Sequence, residues 1–82
     1  MRQFFYVYML ESISHQDRHY VGITENLGAR LRTHNAGEVR CSSRHRPWRI
    51  KTAVAFTDEI RAQAFERYLK SASGRAFAKK HF

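Results

Sequence analysis

The sequence predicts an α+β fold, a small three-stranded antiparallel sheet flanked by helices in the order β-β-α-β-α-α. Three observations predict it. The short apolar run FFYVYML at residues 4–10 and a second run, HYVGI at 19–23, are separated only by the polar stretch ESISHQDR. That spacing favours an antiparallel hairpin. Between Ile50 and Phe56 the larger side chains recur at every second residue, the period of a strand with one buried face. The remaining two long stretches, 25–36 and 58–72, carry apolar residues three and four apart, the period of a helix.

Taken in order, residues 4–10 are aromatic and β-branched and too short for a stable helix, so they read as a buried strand. ESISHQDR has no helical period and reads as a loop. After the second strand, Thr24 is expected to cap a helix over 25–36, with Glu25 complementing the dipole in its first turn. Gly37 suits the left-handed position just past its end. GEVRCSSRHRPW, from Gly37 to Trp48, has no clean period, holds the only proline and reads as a basic connecting loop. The third strand is expected to bury Ile50, Thr52, Val54 and Phe56. Thr57 is expected to cap the next helix, Asp58 and Glu59 to favour its N-terminus, and Ile60, Ala64, Phe65, Tyr68, Leu69 and Ala72 to form its apolar face. Gly74 should end or bend that helix. A last short helix over 75–81 would dock through Phe77 and carry Lys79 and Lys80 outward.

Eighty-two residues are expected to form one domain, 1–82, and a hydrophobic content of 43% makes its core feasible. Cys41 is the only cysteine, so no internal disulfide can form, and a reducing, cytoplasmic setting is the expectation. No apolar run approaches the ~20 residues of a membrane helix, so no membrane is expected as partner. Fifteen Lys and Arg against seven Asp and Glu give a formal charge of +8, a field that attracts polyanions. Nucleic acid is the expected partner.

Several residues could carry chemistry. Tyr8 stands in the first strand after Val7, and Tyr20-Val21-Gly22 in the second. Tyr20 and Gly22 share a strand face, where a glycine leaves room for a phosphate to approach. Arg30 and His34 form a helical stripe beside the apolar pair Leu27 and Leu31. The Arg30 guanidinium is a permanently charged fork matched to phosphate oxygens. Glu66 lies in the later helix within AFERYLK, where Lys70, four residues on, offers an ordinary ion pair as the competing explanation. Arg40, Arg44, Arg46 and Arg49 cluster around Trp48 and suit phosphate contacts, the indole being either a base platform or a core lid.

These residues, in this order, resemble the paired motifs of the GIY-YIG nuclease family over nearly the whole chain. The layout is similar to the small stand-alone members and to the nuclease domain of the excision-repair subunit UvrC. The stretch HNAGEVRCSSRHRPW is also similar to the stand-alone members. The resemblance implies a metal-dependent endonuclease acting on nucleic acid, expected to be DNA, in a repair setting. It implies Mg²⁺ or Mn²⁺ anchored by Glu66, catalytic roles for Tyr8, Tyr20, Arg30 and His34, and a tyrosine as the base. Which tyrosine is open, with Tyr8 favoured and Tyr20 positioning the phosphate. The chain departs from the pattern at Tyr6, where the first motif has glycine, at Val7, where it has isoleucine, and at Ile23, where UvrC-like members carry lysine. No counterpart of a further asparagine falls near Ala78 or His81. The alternative is a non-catalytic DNA- or RNA-binding module on the same fold. A monomer or weak dimer, with a partner protein for targeting, is expected in either case.

Overall fold

The computed structural model describes residues 3–82, so the first two residues of the expected domain lie outside the described residues. Strands β1 (Phe5–Ser12), β2 (His19–Thr24) and β3 (Trp48–Phe56) and helices α1 (Leu27–Asn35), α2 (Glu59–Leu69) and α3 (Ala72–His81) follow in the expected order, with one 3-10 turn at Ser43–His45. The sheet is antiparallel throughout, in the order β2-β1-β3. The first strand extends two residues beyond the expected run, because Glu11 and Ser12 pair with Arg49 and Trp48. Among the described residues no helix is long and apolar enough to cross a membrane.

Residues opposite one another in an antiparallel pair point to the same side, so the register sorts the sheet into two faces. Val7 and Met9, paired with Ile23 and Val21, meet α2 and α3. There they join Ala62, Leu69 and Ala78 in an apolar core ringed by Phe56, Phe65 and Phe77. Tyr8 and Leu10, paired with Gly22 and Tyr20, face α1 and pack with Trp48, Leu27 and Leu31.

β3 serves both faces. Met9 pairs with Thr52 but Leu10 pairs with Ile50, so Lys51 is an extra residue in a β-bulge. Thr52, Val54 and Phe56 lie half-buried toward α2 and α3 as expected, but Ile50 does not share their face. The bulge turns it toward the other side, where it is 36% exposed and where Trp48 is buried.

The first two helices start later than the sequence suggests, and α3 starts earlier, at Ala72 instead of 75. Asn26, not Thr24, caps α1 by accepting the Ala29 N–H at 3.0 Å, and Glu25 lies outside the helix. Thr24 instead ends β2 and accepts the Asn26 N–H. Asp58, not Thr57, caps α2 by accepting the Ile60 and Arg61 N–H groups. In both cases a residue of stronger capping preference stands close by and wins. The core-facing stripe of α2 is Ala62, Leu69 and half-buried Phe65, while Ile60 is 75% exposed and Ala64, Tyr68 and Ala72 are exposed. Gly74 neither ends nor bends α2. Ser71 caps a separate α3, and Gly74 is buried in its first turn, where a side chain would collide with the Tyr68 carbonyl. Gly37 takes the left-handed conformation expected of it, with φ +79°.

Candidate active site

Tyr8 lies at the centre of the middle strand and points toward α1, 2% exposed. Arg30 and His34 are one helical turn apart on α1, and both reach its hydroxyl. The Tyr8 oxygen is 2.9 Å from His34 Nε2 and receives the Arg30 Nε–H at 3.3 Å. The second imidazole nitrogen, Nδ1, lies 2.6 Å from Ser42 Oγ, which in turn donates to the Val39 carbonyl at 3.3 Å.

The direction of this chain follows from counting protons. Ser42 has one hydroxyl proton, given to Val39, so it accepts from His34 Nδ1–H. A neutral imidazole protonated at Nδ1 has a bare Nε2, and the Tyr8 O–H donates to it. Burial, and then the charge of Arg30, hold His34 below its ordinary pKa of 6.5, which keeps the ring neutral. Burial raises the Tyr8 phenol above its ordinary value, and Arg30 opposes that rise. Arg30 is itself held more firmly protonated by its hydrogen bond to Tyr8.

Other contacts fix the frame. The Trp48 indole N–H donates to the Ser42 carbonyl at 2.7 Å. The Asn35 side chain accepts the Trp48 N–H at 2.6 Å and donates to the Trp48 carbonyl at 3.1 Å. Trp48 is therefore a lid of the core and not a base platform, at 4% exposure. Tyr20 is half-buried beside His34, ring centroids 4.6 Å apart, and lies 6.4 Å from the Tyr8 ring. The open side of Gly22 is filled by the Tyr8 phenol, which any side chain there would strike. The glycine thus makes room for the tyrosine, a correction to the expectation that it makes room for phosphate.

Five expected residues, Tyr8, Tyr20, Gly22, Arg30 and His34, come together here. Glu66 approaches from α2; its charge opposes ionisation of Tyr8, and its carboxylate, 20% exposed, takes Lys70 Nζ at 3.1 Å on Oε2. The loop arginines do not form one phosphate cluster. Both Nε and an η nitrogen of Arg49 bind Glu11 Oε1, and Arg46 donates to the Ser43 carbonyl while lying over Gly37. Arg40 and Arg44 are exposed. Sequence reasoning missed Ser42 and Asn35, whose roles depend on a loop fold that no periodicity announces. The one usable signal was their closeness to His34 and Trp48.

No group of three or more His, Cys, Asp or Glu gathers among the described residues. A closed transition-metal cage is therefore not what these residues build. A hard cation such as Mg²⁺ needs only one or two carboxylates and completes its shell with water and substrate oxygens. Glu66, partly exposed and with Oε1 carrying no hydrogen bond among the described residues, fits that requirement.

A family model described as the GIY-YIG catalytic domain matches residues 4–80. No curated protein matches the chain.

Proposed function

The chain belongs to the GIY-YIG catalytic-domain family, a family of endonucleases, and on that premise we propose that it is a metal-dependent endonuclease hydrolysing phosphodiester bonds in DNA. The observation that carries the reading is the chain Arg30–Tyr8–His34–Ser42. A phenol normally ionises near pH 10 and is a poor base by itself. Tyr8 instead has a neutral imidazole ready to take its proton and a guanidinium to stabilise the oxygen that results. Its oxygen already accepts from Arg30 and donates to His34, which leaves one acceptor position for a water molecule.

As that water attacks phosphorus, its proton passes to the Tyr8 oxygen and the Tyr8 proton passes to His34 Nε2. The phosphorus–oxygen bond to the leaving sugar breaks, and the departing oxygen takes a proton from solvent. Arg30 binds Tyr8 through Nε, so its terminal nitrogens face the charge growing on the phosphoryl oxygens. The Tyr20 hydroxyl holds a phosphate oxygen in line. Mg²⁺ or Mn²⁺ at Glu66 would supply Lewis acidity at the leaving oxygen. The reading treats residues 1–82 as one catalytic domain acting as a monomer or weak dimer in the cytoplasm. DNA structure or a partner protein then supplies the targeting.

The Lys70–Glu66 pair favours a second reading, in which Glu66 is an ordinary helix-surface residue of a non-catalytic binding module. The deciding experiment incubates labelled branched, nicked, single-stranded and duplex DNA, and RNA, with Mg²⁺, Mn²⁺ or chelator. It compares wild type with Glu66→Ala and Arg30→Ala. Metal-dependent cutting that disappears in both variants supports the nuclease. Salt-sensitive binding without cutting, undiminished in Glu66→Ala, replaces it with the binding module.

A further inference from the structure

Away from the buried hydrogen-bond chain, a groove of about 900 Å³ opens between the hairpin end of the sheet and the α2–α3 pair. Arg18, Lys51, Lys70, Arg75 and Lys79 line it, opposed by a single acid, Asp17. Only Lys70 of the five makes an ion pair among the described residues. The contrast with the loop is informative, because two of the four arginines expected to hold phosphate there are engaged with Glu11 and with the backbone. Four cations with no ion pair among the described residues, Arg18, Lys51, Arg75 and Lys79, lie together in the groove.

Three features say what the groove fits. Its cations come from the hairpin turn, the β3 bulge, the end of α2 and the first and last turns of α3, so the charge runs along a path and not around a point. Its floor is apolar, with half-buried Val21 over the buried Met9 and Leu69, so no competing charge lies beneath a bound strand. Tyr20 is among its lining residues and Lys70 also holds Glu66, so the groove shares a wall with two candidate active-site residues. Pockets of roughly 300–1,000 Å³ hold molecules of a few rings, which admits a few nucleotides of one strand but not a duplex.

We propose that this groove binds a single nucleic-acid strand leading to or from the bond being cut, with phosphates along the Arg18, Lys51, Arg75 and Lys79 wall. The inference deepens the nuclease reading and rests on it for the meaning of the strand's direction, but strand binding itself can be tested without cleavage.

Cys41, exposed and the only thiol, lines the same groove and reports on its occupancy. The experiment uses the full chain in chelator with a single-stranded DNA of about 12 nucleotides, within the range a basic groove tracks, and the matching duplex. Alkylation of Cys41 is timed with and without DNA, and affinity is measured against salt for wild type, Arg75→Glu/Lys79→Glu and Arg40→Glu/Arg44→Glu. The single strand is expected to protect Cys41 several-fold. Arg75→Glu/Lys79→Glu should weaken strand binding about tenfold or more and lower the salt slope by about 1.4, at ~0.7 for each phosphate no longer neutralised. Arg40→Glu/Arg44→Glu should change both less. Unprotected Cys41 in saturated wild type overturns the proposal whatever the variants do. Equal weakening in the two double variants overturns it, as does tighter binding of duplex than of single strand. Binding to phosphatidylserine vesicles that needs Arg75 and Lys79, without binding to DNA, would assign the groove to a membrane surface instead. Groove binding that behaves as expected in a protein that never cuts DNA upholds this inference and removes the nuclease reading.

Discussion

The two faces of the sheet are built from different physics. Toward α2 and α3, Val7, Met9, Ala62, Leu69 and the surrounding phenylalanines are joined by contacts that have no direction. Toward α1, the buried residues Tyr8, His34 and Ser42 are joined by hydrogen bonds whose donors and acceptors must match in order. No buried side-chain nitrogen or oxygen among the described residues lacks a partner. Each buried polar group left unpaired costs about 1–3 kcal/mol, so the second face tolerates one arrangement and the first tolerates several. The difference shows how so small a chain can hold a catalytic geometry, with one layer supplying cohesion and the other orientation.

The largest expected effect separates the faces by activity. Tyr8→Phe should lower single-turnover cleavage by about 10²–10⁴-fold, the usual contribution of a positioned acid or base, while stability falls by about 1–3 kcal/mol because His34 Nε2 loses its partner. Phe65→Ala should do the reverse, losing about 3 kcal/mol in urea unfolding with turnover per folded molecule preserved. If Phe65→Ala instead slowed turnover of the folded fraction, the division between the faces would fail.

Next in size is Gly22→Ala. The added methyl group strikes the Tyr8 ring, and overpacking of this kind costs about 1–3 kcal/mol. Thermal unfolding should register that cost together with a loss of cleavage. An alanine that leaves both intact would show that the Tyr8 ring has room to move.

A third effect is in pH. His34 titrates below its ordinary value of 6.5 when folded, so the unfolded chain takes up that proton first. Its contribution to stability is full above pH 6.5 and is lost as pH falls toward the folded value. Melting temperatures between pH 7.5 and 5 should therefore drop, and part of the drop should vanish in His34→Gln. Identical slopes for both proteins would remove His34 as the sensitive group.

The sequence announced these two layers unequally. The hairpin and its tyrosines were legible because period two survives in short strands, and Arg30 and His34 were legible as one stripe of α1. The reading of His34 as a catalytic residue did not extend to its other partner, Ser42, because a side chain eight residues away in a loop has no fixed phase relative to a helix. Cap positions slipped because Thr24 and Asn26, or Thr57 and Asp58, are rival oxygen donors within two residues of each other, and only the packed helix chooses between them. Ile60 slipped for another reason: being apolar and four residues from Ala64 it fits the helical period, whereas the residues that face the sheet are Ala62, Phe65 and Leu69.

The smallest effect lies where the faces meet the candidate metal residue. Lys70→Met removes a helix-surface ion pair worth about 0.2–0.5 kcal/mol, a change near the limit of detection. The same substitution frees Glu66 Oε2, so Mn²⁺ titrated against the protein and followed by electron paramagnetic resonance should bind more tightly. Weaker Mn²⁺ binding in Lys70→Met would argue that Glu66 is not where the cation goes.

The bulge at Lys51 acts as a half-step in the phase of β3. With a regular ladder, Ile50 and Trp48 would continue on the side of Thr52 and Val54, and the indole would point away from Ser42. The inserted residue changes the parity instead, so one strand lends Phe56 to the greasy layer and Trp48 to the polar one. The side chain it displaces from the ladder becomes an ammonium in the groove wall. One inserted residue thereby decides on which side of the sheet the Trp48 indole meets the loop that anchors the imidazole.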